Sequence, residues 1–378
     1  MRDEENQSIK LLSLIAISGD FPADELNSFG SLEYNKKLIM SLKQEKLIRV
    51  FYKDNVRSYR LTSKAKKRLL LENSDRFKAY FEKTTEANLY PSAINRRLRL
   101  HRISQALVFM KNSNVKIFHD EKTPLFESSV GTVYTGFYSN NPETSERIKL
   151  PAFYTSREIK EHSKEKYKIN NSRFIGLLIT ESMQYIIYNT DDTLMKWESR
   201  SEEKVFAVIN HFLRQTLTGY VNNSLKTIMI GRNMEIALQI LKSTGGYKHG
   251  YLMLDGTFYN LLFLPRNEDG IMILKILCSR DIENQTRSIL MYNLETPPTS
   301  TIVDCDGIDN DGNPVLFAYD FDLERIARFN AGLSGRSKKG SITCFDFQKE
   351  TLEKYCNLEF ITVNTISKDK YKRRFFSG

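Results

Sequence analysis

Four charged residues near the middle of the chain have the types that magnesium-dependent cleavage of a phosphodiester requires. Asp192 follows a predicted strand at residues 183–190, and Glu198 and Arg200 come after it. Glu161 lies in a predicted helix, where Glu158 is the alternative acid. Carboxylates hold Mg²⁺ in such sites, and a cation positions the attacking water. One class of nuclease has an acid on its second core strand and Glu-x-Lys on its third. Here the second strand has no acid and a Glu-x-Arg replaces Glu-x-Lys, so the sequence favours a non-catalytic core over a nuclease.

A second set of residues has the chemistry of duplex DNA recognition. Lysine contacts phosphate or guanine, and asparagine contacts adenine or phosphate, when they lie near the start of a helix in the major groove. Such residues lie on a predicted helix that begins at Ser31, around the polar turn that follows it, and on a basic helix that begins after Pro91. The basic helix extends the DNA-binding surface or bridges to the next domain, and its arginines equally fit pairing with carboxylates of the body. The predicted DNA-contacting residues are Asn35, Lys36, Lys37, Lys43, Lys53, Asn55, Arg57, Arg60, Arg96 and Arg97.

Most of these residues belong to residues 7–62, where three helical patterns precede two strand patterns separated by a polar turn. That order is typical of a winged helix, with the third helix as the recognition helix. In that helix Ser31 is the predicted N-cap, and the apolar residues that bury one face are Tyr34, Leu38, Ile39, Leu42 and Leu47. Asp54-Asn55 suits the tight turn of the wing. The alternatives are a small helical and hairpin module that packs against the rest of the protein, and a surface that docks on other proteins.

The charge distribution agrees with a polyanionic partner. The chain has 378 residues, with 56 Lys+Arg against 46 Asp+Glu, a net charge of +10. Residues 1–120 contain 23 Lys+Arg and 14 Asp+Glu, so nearly all the excess lies in the part predicted to bind DNA. The four cysteines and five histidines are dispersed, which predicts reduced thiols, no metal site and no other cofactor. No apolar run approaches the roughly 20 residues of a membrane helix, so a cytoplasmic protein without a membrane partner is expected.

The order of the predicted elements indicates an α+β protein with several domains. The predicted divisions are a winged helix over residues 1–85, a basic linking helix over 86–112, an α/β body over 113–295 and a C-terminal α/β unit over 296–378. From residue 155 the body has the order helix, three strands, helix, strand. The restriction-endonuclease-like fold has this core order, although the order also occurs elsewhere.

Acidic residues near the C-terminus have simpler predicted roles than metal binding. Asp304, Asp306, Asp309 and Asp311 fail the spacing of a calcium loop, so a hairpin turn is predicted. For Asp320, Asp322 and Asp346, which lie at predicted strand ends, helix capping is favoured over a metal cluster.

The chain also resembles the replication-relaxation proteins of plasmids and integrative elements of Gram-positive bacteria. The similar stretches are the opening helices and the segments SYRLTSKAKKRLL, RLRLHRISQALVFM, PAFYTSREIK, YNTDDTLMKWE and VLFAYDFDLERIARF. The resemblance implies a winged helix joined to a nuclease-like body, DNA binding, and a part in replication, transfer or transcription of a mobile element. We therefore expect duplex DNA, a second copy of the chain and replication or conjugation proteins as partners.

Overall fold

The computed structural model divides the chain into two compact units. It describes residues 2–29, 31–81, 91–126, 134–135, 148–162, 172–218, 220, 225–245, 250–256, 260–298 and 303–376. The first unit comprises residues 1–136 and 140–168, and the second comprises 137–139 and 169–378. Both units combine helices and strands, so the chain is a mixed α/β protein. The division between the two units lies after the domain boundary predicted at residue 112, and no division lies at the predicted boundary at residue 295. The boundary predicted at residue 85 lies outside the described residues.

The first unit begins with helices around a small antiparallel sheet. The sheet has the order β1–β3–β2, with Phe21 opposite Tyr59 and Lys53 opposite Val56. The described elements of the first unit are α1 (Arg2–Ser18), β1 (Phe21–Pro22), α2 (Leu26–Phe29), α3 (Leu32–Gln44), β2 (Ile48–Lys53), β3 (Val56–Leu61), α4 (Ser63–Glu72), α5 (Ser74–Phe81), α6 (Ile94–Asn112), a 3₁₀ turn (His119–Glu121), β4 (Tyr134–Thr135), β5 (Ala152–Thr155) and α7 (Ser156–His162).

Helix α3 forms because its apolar residues recur at helical spacing. Leu38, Ile39 and Leu42 are buried, as predicted, and Leu47 is buried just beyond the helix. Ser31 is the N-cap residue, but its side chain makes no capping hydrogen bond. The β2–β3 turn is the predicted Asp54-Asn55 pair, whose φ angles of 53° and 57° suit the twist of a two-residue hairpin.

Helix α6 is a core helix of the first unit rather than the predicted linking helix. It packs against α1 and β1. Leu100, Ile103, Ala106 and Leu107 are at most 3% exposed, and buried polar residues occupy other positions around the helix. Residues 94–112 therefore complete the fold that residues 2–61 begin.

The second unit contains two sheets. Strands β10, β9, β7 and β6 are neighbours in that order, with β6 antiparallel to β7 and the others parallel; β11–β12–β13–β14 is parallel apart from β11. The elements are β6 (Gly176–Ile179), β7 (Gln184–Asp191), α8 (Ser199–Thr216), β8 (Leu217–Thr218), β9 (Leu225–Gly231), α9 (Met234–Leu241), β10 (Leu261–Pro265), α10 (Glu268–Cys278), α11 (Arg280–Leu290), β11 (Gly307–Ile308), β12 (Pro314–Phe317), α12 (Leu323–Ser334), β13 (Gly340–Phe345), a 3₁₀ turn (Asp346–Gln348), α13 (Lys349–Tyr355), β14 (Ile361–Ile366) and α14 (Lys368–Phe375).

The third core strand predicted at residues 193–199 is wrong. Asp191 ends β7 with a φ of 62°, and residues 193–198 contribute only an isolated bridge between Lys196 and Tyr251 before α8 begins. Among the described residues from α7 to β9 the order is thus helix, two strands, helix, two strands, of which β8 has only two residues. The C-terminal segment alternates strands and helices, as expected of the predicted α/β unit, and its helix α12 extends to Ser334.

Candidate nucleic-acid interface

Helix α3 exposes a continuous cationic face opposite its buried stripe. Lys36, Lys37 and Lys43 are exposed, and Met40, which lies between them, is 62% exposed. In the part of the chain that the structure describes, none of these lysines lies within 4 Å of a carboxylate. Glu33 is the single acidic residue of the helix. The face is therefore a positively charged surface whose lysines form no ion pair among the described residues.

The β2–β3 turn adds a second group of exposed polar residues. Lys53, Asn55 and Arg57 are exposed, as is Tyr52. The Tyr52 hydroxyl donates a hydrogen bond of 3.1 Å to Asn55 Oδ1 across the turn. This bond engages Oδ1 of the Asn55 amide and leaves its Nδ2 available as a donor.

Asn35 does not belong to this surface, so its predicted DNA contact is wrong. Its side chain is 1% exposed, and Nδ2 donates a hydrogen bond of 2.7 Å to the Leu26 carbonyl of α2. Position 35 lies three and four residues before the buried Leu38 and Ile39, so it shares their helical face. The spacing thus contained the signal that this asparagine is internal.

Arg60 and Arg97 are likewise internal, because both pair with one buried carboxylate. Arg60 Nε lies 2.8 Å from Asp20 Oδ1, and Arg97 Nε lies 3.1 Å from Asp20 Oδ2. His101 Nε2 is 3.4 Å from the same Oδ2. The side chains of Asp20 and Arg97 are fully buried and that of Arg60 is 2% exposed. The predicted DNA contacts of both arginines are therefore wrong. We call the group of Asp20, Ser58, Arg60, Arg97 and His101 the Asp20 cluster.

The electrostatics of the Asp20 cluster favour an ionised carboxylate. Burial by itself would raise the pKa of Asp20, but His101, Arg60 and Ser58 favour the charged form more strongly and hold that pKa far below its usual range. The guanidinium groups of Arg60 and Arg97 also lie over the Phe51 ring, 3.8 and 4.6 Å from its centroid. A negative charge is therefore retained in the core of the first unit and is balanced by its neighbours.

Arg97 also fixes the position of the β2–β3 turn. Its Nη1 donates to the Lys53 carbonyl at 2.9 Å, and its Nη2 donates to the Val56 carbonyl and to Ser58 Oγ, both at 3.0 Å. The two carbonyls flank the turn residues Asp54 and Asn55. Helix α6 thereby holds the hairpin that carries Lys53 and Arg57 at its surface. The neighbouring Arg96 is exposed, as a contact residue requires.

The described residues predicted for a nuclease site do not form a metal-binding group. Asp192 is exposed and lies 3.8 Å from Arg232, while Glu198 is the exposed N-cap residue of α8 and Arg200 follows in its first turn. Glu161 lies in α7, and its side chain is outside the described residues. Among the described side chains, no three of the types Asp, Glu, His and Cys lie close enough to hold a metal ion. The predicted geometry fails because the third strand is absent.

The acidic residues of the C-terminal hairpin mostly have the predicted structural roles. Asp309 accepts hydrogen bonds from the backbone of Asp311 and Asn313 within the turn. Asp322 caps α12 by accepting from the Arg325 amide at 3.2 Å. The capping predicted for Asp346 is wrong, since Phe345 is the N-cap residue of the 3₁₀ turn at Asp346–Gln348 and Gln348 is that of α13. Asp304 and Asp306 pair with the arginines of α11 and α12, namely Arg287, Arg325 and Arg328.

Asp320 differs from these carboxylates, and it gives a testable pH dependence. Its Oδ1 is buried and has no hydrogen-bond partner among the described residues, and burial together with the nearby Asp322 raises the pKa of Asp320 to about 7. A carboxyl whose pKa is raised on folding binds more protons in the folded state than in the unfolded state. The free energy of unfolding therefore decreases as the pH rises from about 4 to about 7.

Asp320→Asn should remove that loss and stabilise the second unit at pH 8 by up to about 4 kcal/mol, with no gain at pH 4. Hydrogen exchange of peptides from β12 and α12 at the two pH values measures the effect. The exposed Asp281→Asn is the control. An equal change at both pH values would contradict the raised pKa.

Comparison of the chain with known protein families, curated proteins and solved structures found no match in any of the three. No helix in the described ranges is both long enough and apolar enough to cross a membrane. Whatever the protein does must therefore be inferred from its own surfaces.

Proposed function

We propose that the first unit binds duplex DNA through a winged helix formed by residues 7–62. The observation that carries the proposal is the exposed face of α3, on which Lys36, Lys37 and Lys43 surround Met40 and none of the lysines has a carboxylate partner among the described residues. In this interpretation α3 is the recognition helix and the β2–β3 hairpin is the wing.

The topology supports the proposal. The order α1, β1, α2, α3, β2, β3 with sheet order β1–β3–β2 matches the order expected of a winged helix. Lys36 and Lys37 lie in the first two turns of α3, the part of a recognition helix that reaches base edges. Among the residues predicted from sequence, those that stay accessible for contact are Lys36, Lys37, Lys43, Lys53, Asn55, Arg57 and Arg96.

The chemistry of the face suits a major groove. Lysine donates to phosphate oxygens or to guanine O6 and N7, and an apolar side chain such as Met40 packs against the thymine methyl group. Helix α3, with 13 residues, is about 20 Å long, which suits insertion into the groove. A winged helix of this kind commonly acts as a two-fold dimer on a two-fold DNA site, so we propose a homodimer.

The resemblance described above extends the proposal to a biological role. A DNA-binding protein of this kind would act as an accessory factor in the replication, transfer or transcription of a mobile element, and it would recruit replication or conjugation proteins.

A salt titration of DNA binding tests the proposal. The full chain is titrated by fluorescence anisotropy against duplex DNA from upstream of its own coding sequence and against an unrelated duplex of equal length. With about five phosphates neutralised, the affinity should fall roughly 100-fold between about 0.1 and 0.3 M salt, since each contact contributes a slope of about 0.9. Tighter binding to the upstream duplex would indicate sequence recognition.

Binding that does not depend on salt, or the absence of binding to both duplexes at low salt, would overturn the proposal. In that case the α3 face would be a surface for docking on another protein.

A further inference from the structure

A groove lies in the second unit between α11, the end of β14 and α14. Its volume is about 200 Å³, which is below the range of about 300–1,000 Å³ typical of small-molecule sites. It suits one or two inserted side chains better than a whole ligand. We call it the α11–α14 groove; its lining residues are Thr286, Ile289, Leu290, Ile366, Ser367, Lys370, Tyr371, Arg374 and Phe375.

The interior of the groove is apolar, and its polar atoms are already satisfied. Ile289 is 42% exposed, although isoleucine is normally buried. The Thr286 hydroxyl donates a hydrogen bond of 2.7 Å to the Ile282 carbonyl, so the hydrogen bond between Thr286 and Tyr371 must have the Tyr371 hydroxyl as its donor. The groove thus offers aliphatic surface to an occupant rather than unpaired donors or acceptors.

The rim of the groove is cationic. Lys370 and Arg374 lie one turn apart on α14 and are exposed. Neither has a carboxylate within 4 Å among the side chains that the structure describes. Helix α14 contains five basic residues and one acid, Asp369. An occupant that inserts apolar side chains would therefore place its flanking residues beside two positive charges.

We propose that the α11–α14 groove docks an acidic amphipathic peptide segment of a partner protein, with aliphatic anchors in the groove and carboxylates beside Lys370 and Arg374. An apolar groove that receives the apolar face of a helix is a recurrent mode of peptide recognition. The cationic rim selects the charge of the flanking residues. The groove belongs entirely to the second unit, so the proposal is independent of DNA binding by the first.

Two other occupants fit the groove less well. Single-stranded nucleic acid needs open aromatic faces for base stacking, but the Tyr371 ring packs against Phe345 and Phe375 at centroid distances of 5.1 and 4.6 Å. A second copy of the chain in a two-fold contact would place the same patch against itself. That contact would bring Lys370 and Arg374 toward their own symmetry equivalents, which like charges oppose.

The proposal is tested by selecting peptides from a random displayed library on the full chain. The enriched peptides are then measured by fluorescence anisotropy with the wild type, with Lys370→Glu/Arg374→Glu, and with the control Lys338→Glu/Lys339→Glu. The control makes the same charge change at exposed lysines of the same unit. Enriched peptides should combine aliphatic and acidic residues, and they should bind the rim variant at least about 10-fold more weakly, because each reversed charge replaces an attraction by a repulsion.

Three results would overturn the proposal. The first is an enrichment of peptides without acidic residues, and the second is equal affinity for the rim variant and the wild type. The third is the absence of any peptide that distinguishes the two proteins. Circular dichroism of each variant tests whether a lost affinity reflects unfolding. Ile289→Ser, which removes apolar surface from the groove and keeps the charge of the rim, should also weaken peptide binding.

Discussion

Asp20→Ala is expected to lower the free energy of unfolding of the first unit by about 3–5 kcal/mol, because removing one partner of a buried ion pair leaves its charges uncompensated. Asp20 is the shared partner of Arg60 and Arg97, and the side chains of these three residues are 0–2% exposed. Arg97 also holds the carbonyls of Lys53 and Val56. The loss should therefore extend to the hairpin of the proposed wing.

Hydrogen exchange measured by mass spectrometry is the appropriate readout, since it reports the two units separately. Exchange should accelerate in peptides from β3 and α6 and stay unchanged in peptides from β12 and β13. Asp24→Ala, at an exposed site four residues away, is the matched control and should change stability by less than about 0.5 kcal/mol. If Asp20→Ala behaved like Asp24→Ala, the cluster would not contribute to stability.

The pH dependence of the same contribution has a defined sign. The pKa of Asp20 is held well below its usual range in the folded state, so the unfolded chain takes up a proton first as pH falls. The contribution to stability is complete above about pH 4, the usual pKa of aspartate, and declines as pH falls below it. The Asp20→Asn variant should therefore lose less stability between pH 5 and pH 3 than the wild type.

The sequence predicted most of the local structure but not the pairing of distant charges. The stripe of α3, the Asp54-Asn55 turn and the order of elements in the C-terminal segment follow from spacing and turn chemistry, which act within a few residues. Arg60 and Arg97 form ion pairs with Asp20, which precedes them in the chain by 40 and 77 residues, respectively. No local pattern distinguishes an arginine that pairs in the core from one that faces solvent.

The two larger errors have related causes. Residues 193–199 read as a strand because they follow two strands, but the left-handed conformation of Asp191 ends β7 and the next helix begins at Ser199. The basic first half of residues 94–112 suggests a linking helix, but the helix belongs to the core of the first unit. Its buried Arg97 and His101 face the carboxylate of Asp20, so polar residues there are part of the core.

The triple substitution Lys36→Ala, Lys37→Ala, Lys43→Ala is expected to weaken DNA binding by roughly 100-fold at about 0.1 M salt. It should also reduce the slope of log affinity against log salt by about 2.7, because each of the three lost phosphate contacts contributes about 0.9. All three lysines are exposed, so the substitutions should leave stability nearly unchanged. The measurement is the anisotropy titration on the full chain, repeated at several salt concentrations.

The control must remove the same charge elsewhere, since a net charge of +10 attracts DNA in a general way. The triple substitution Lys242→Ala, Lys338→Ala, Lys339→Ala removes three exposed lysines of the second unit. A loss of affinity confined to the α3 variant would locate the contact on that helix, because the long-range attraction is equal in the two variants. Equal losses would mean that net charge alone attracts the DNA, and unchanged affinity in both would exclude the α3 face as the interface.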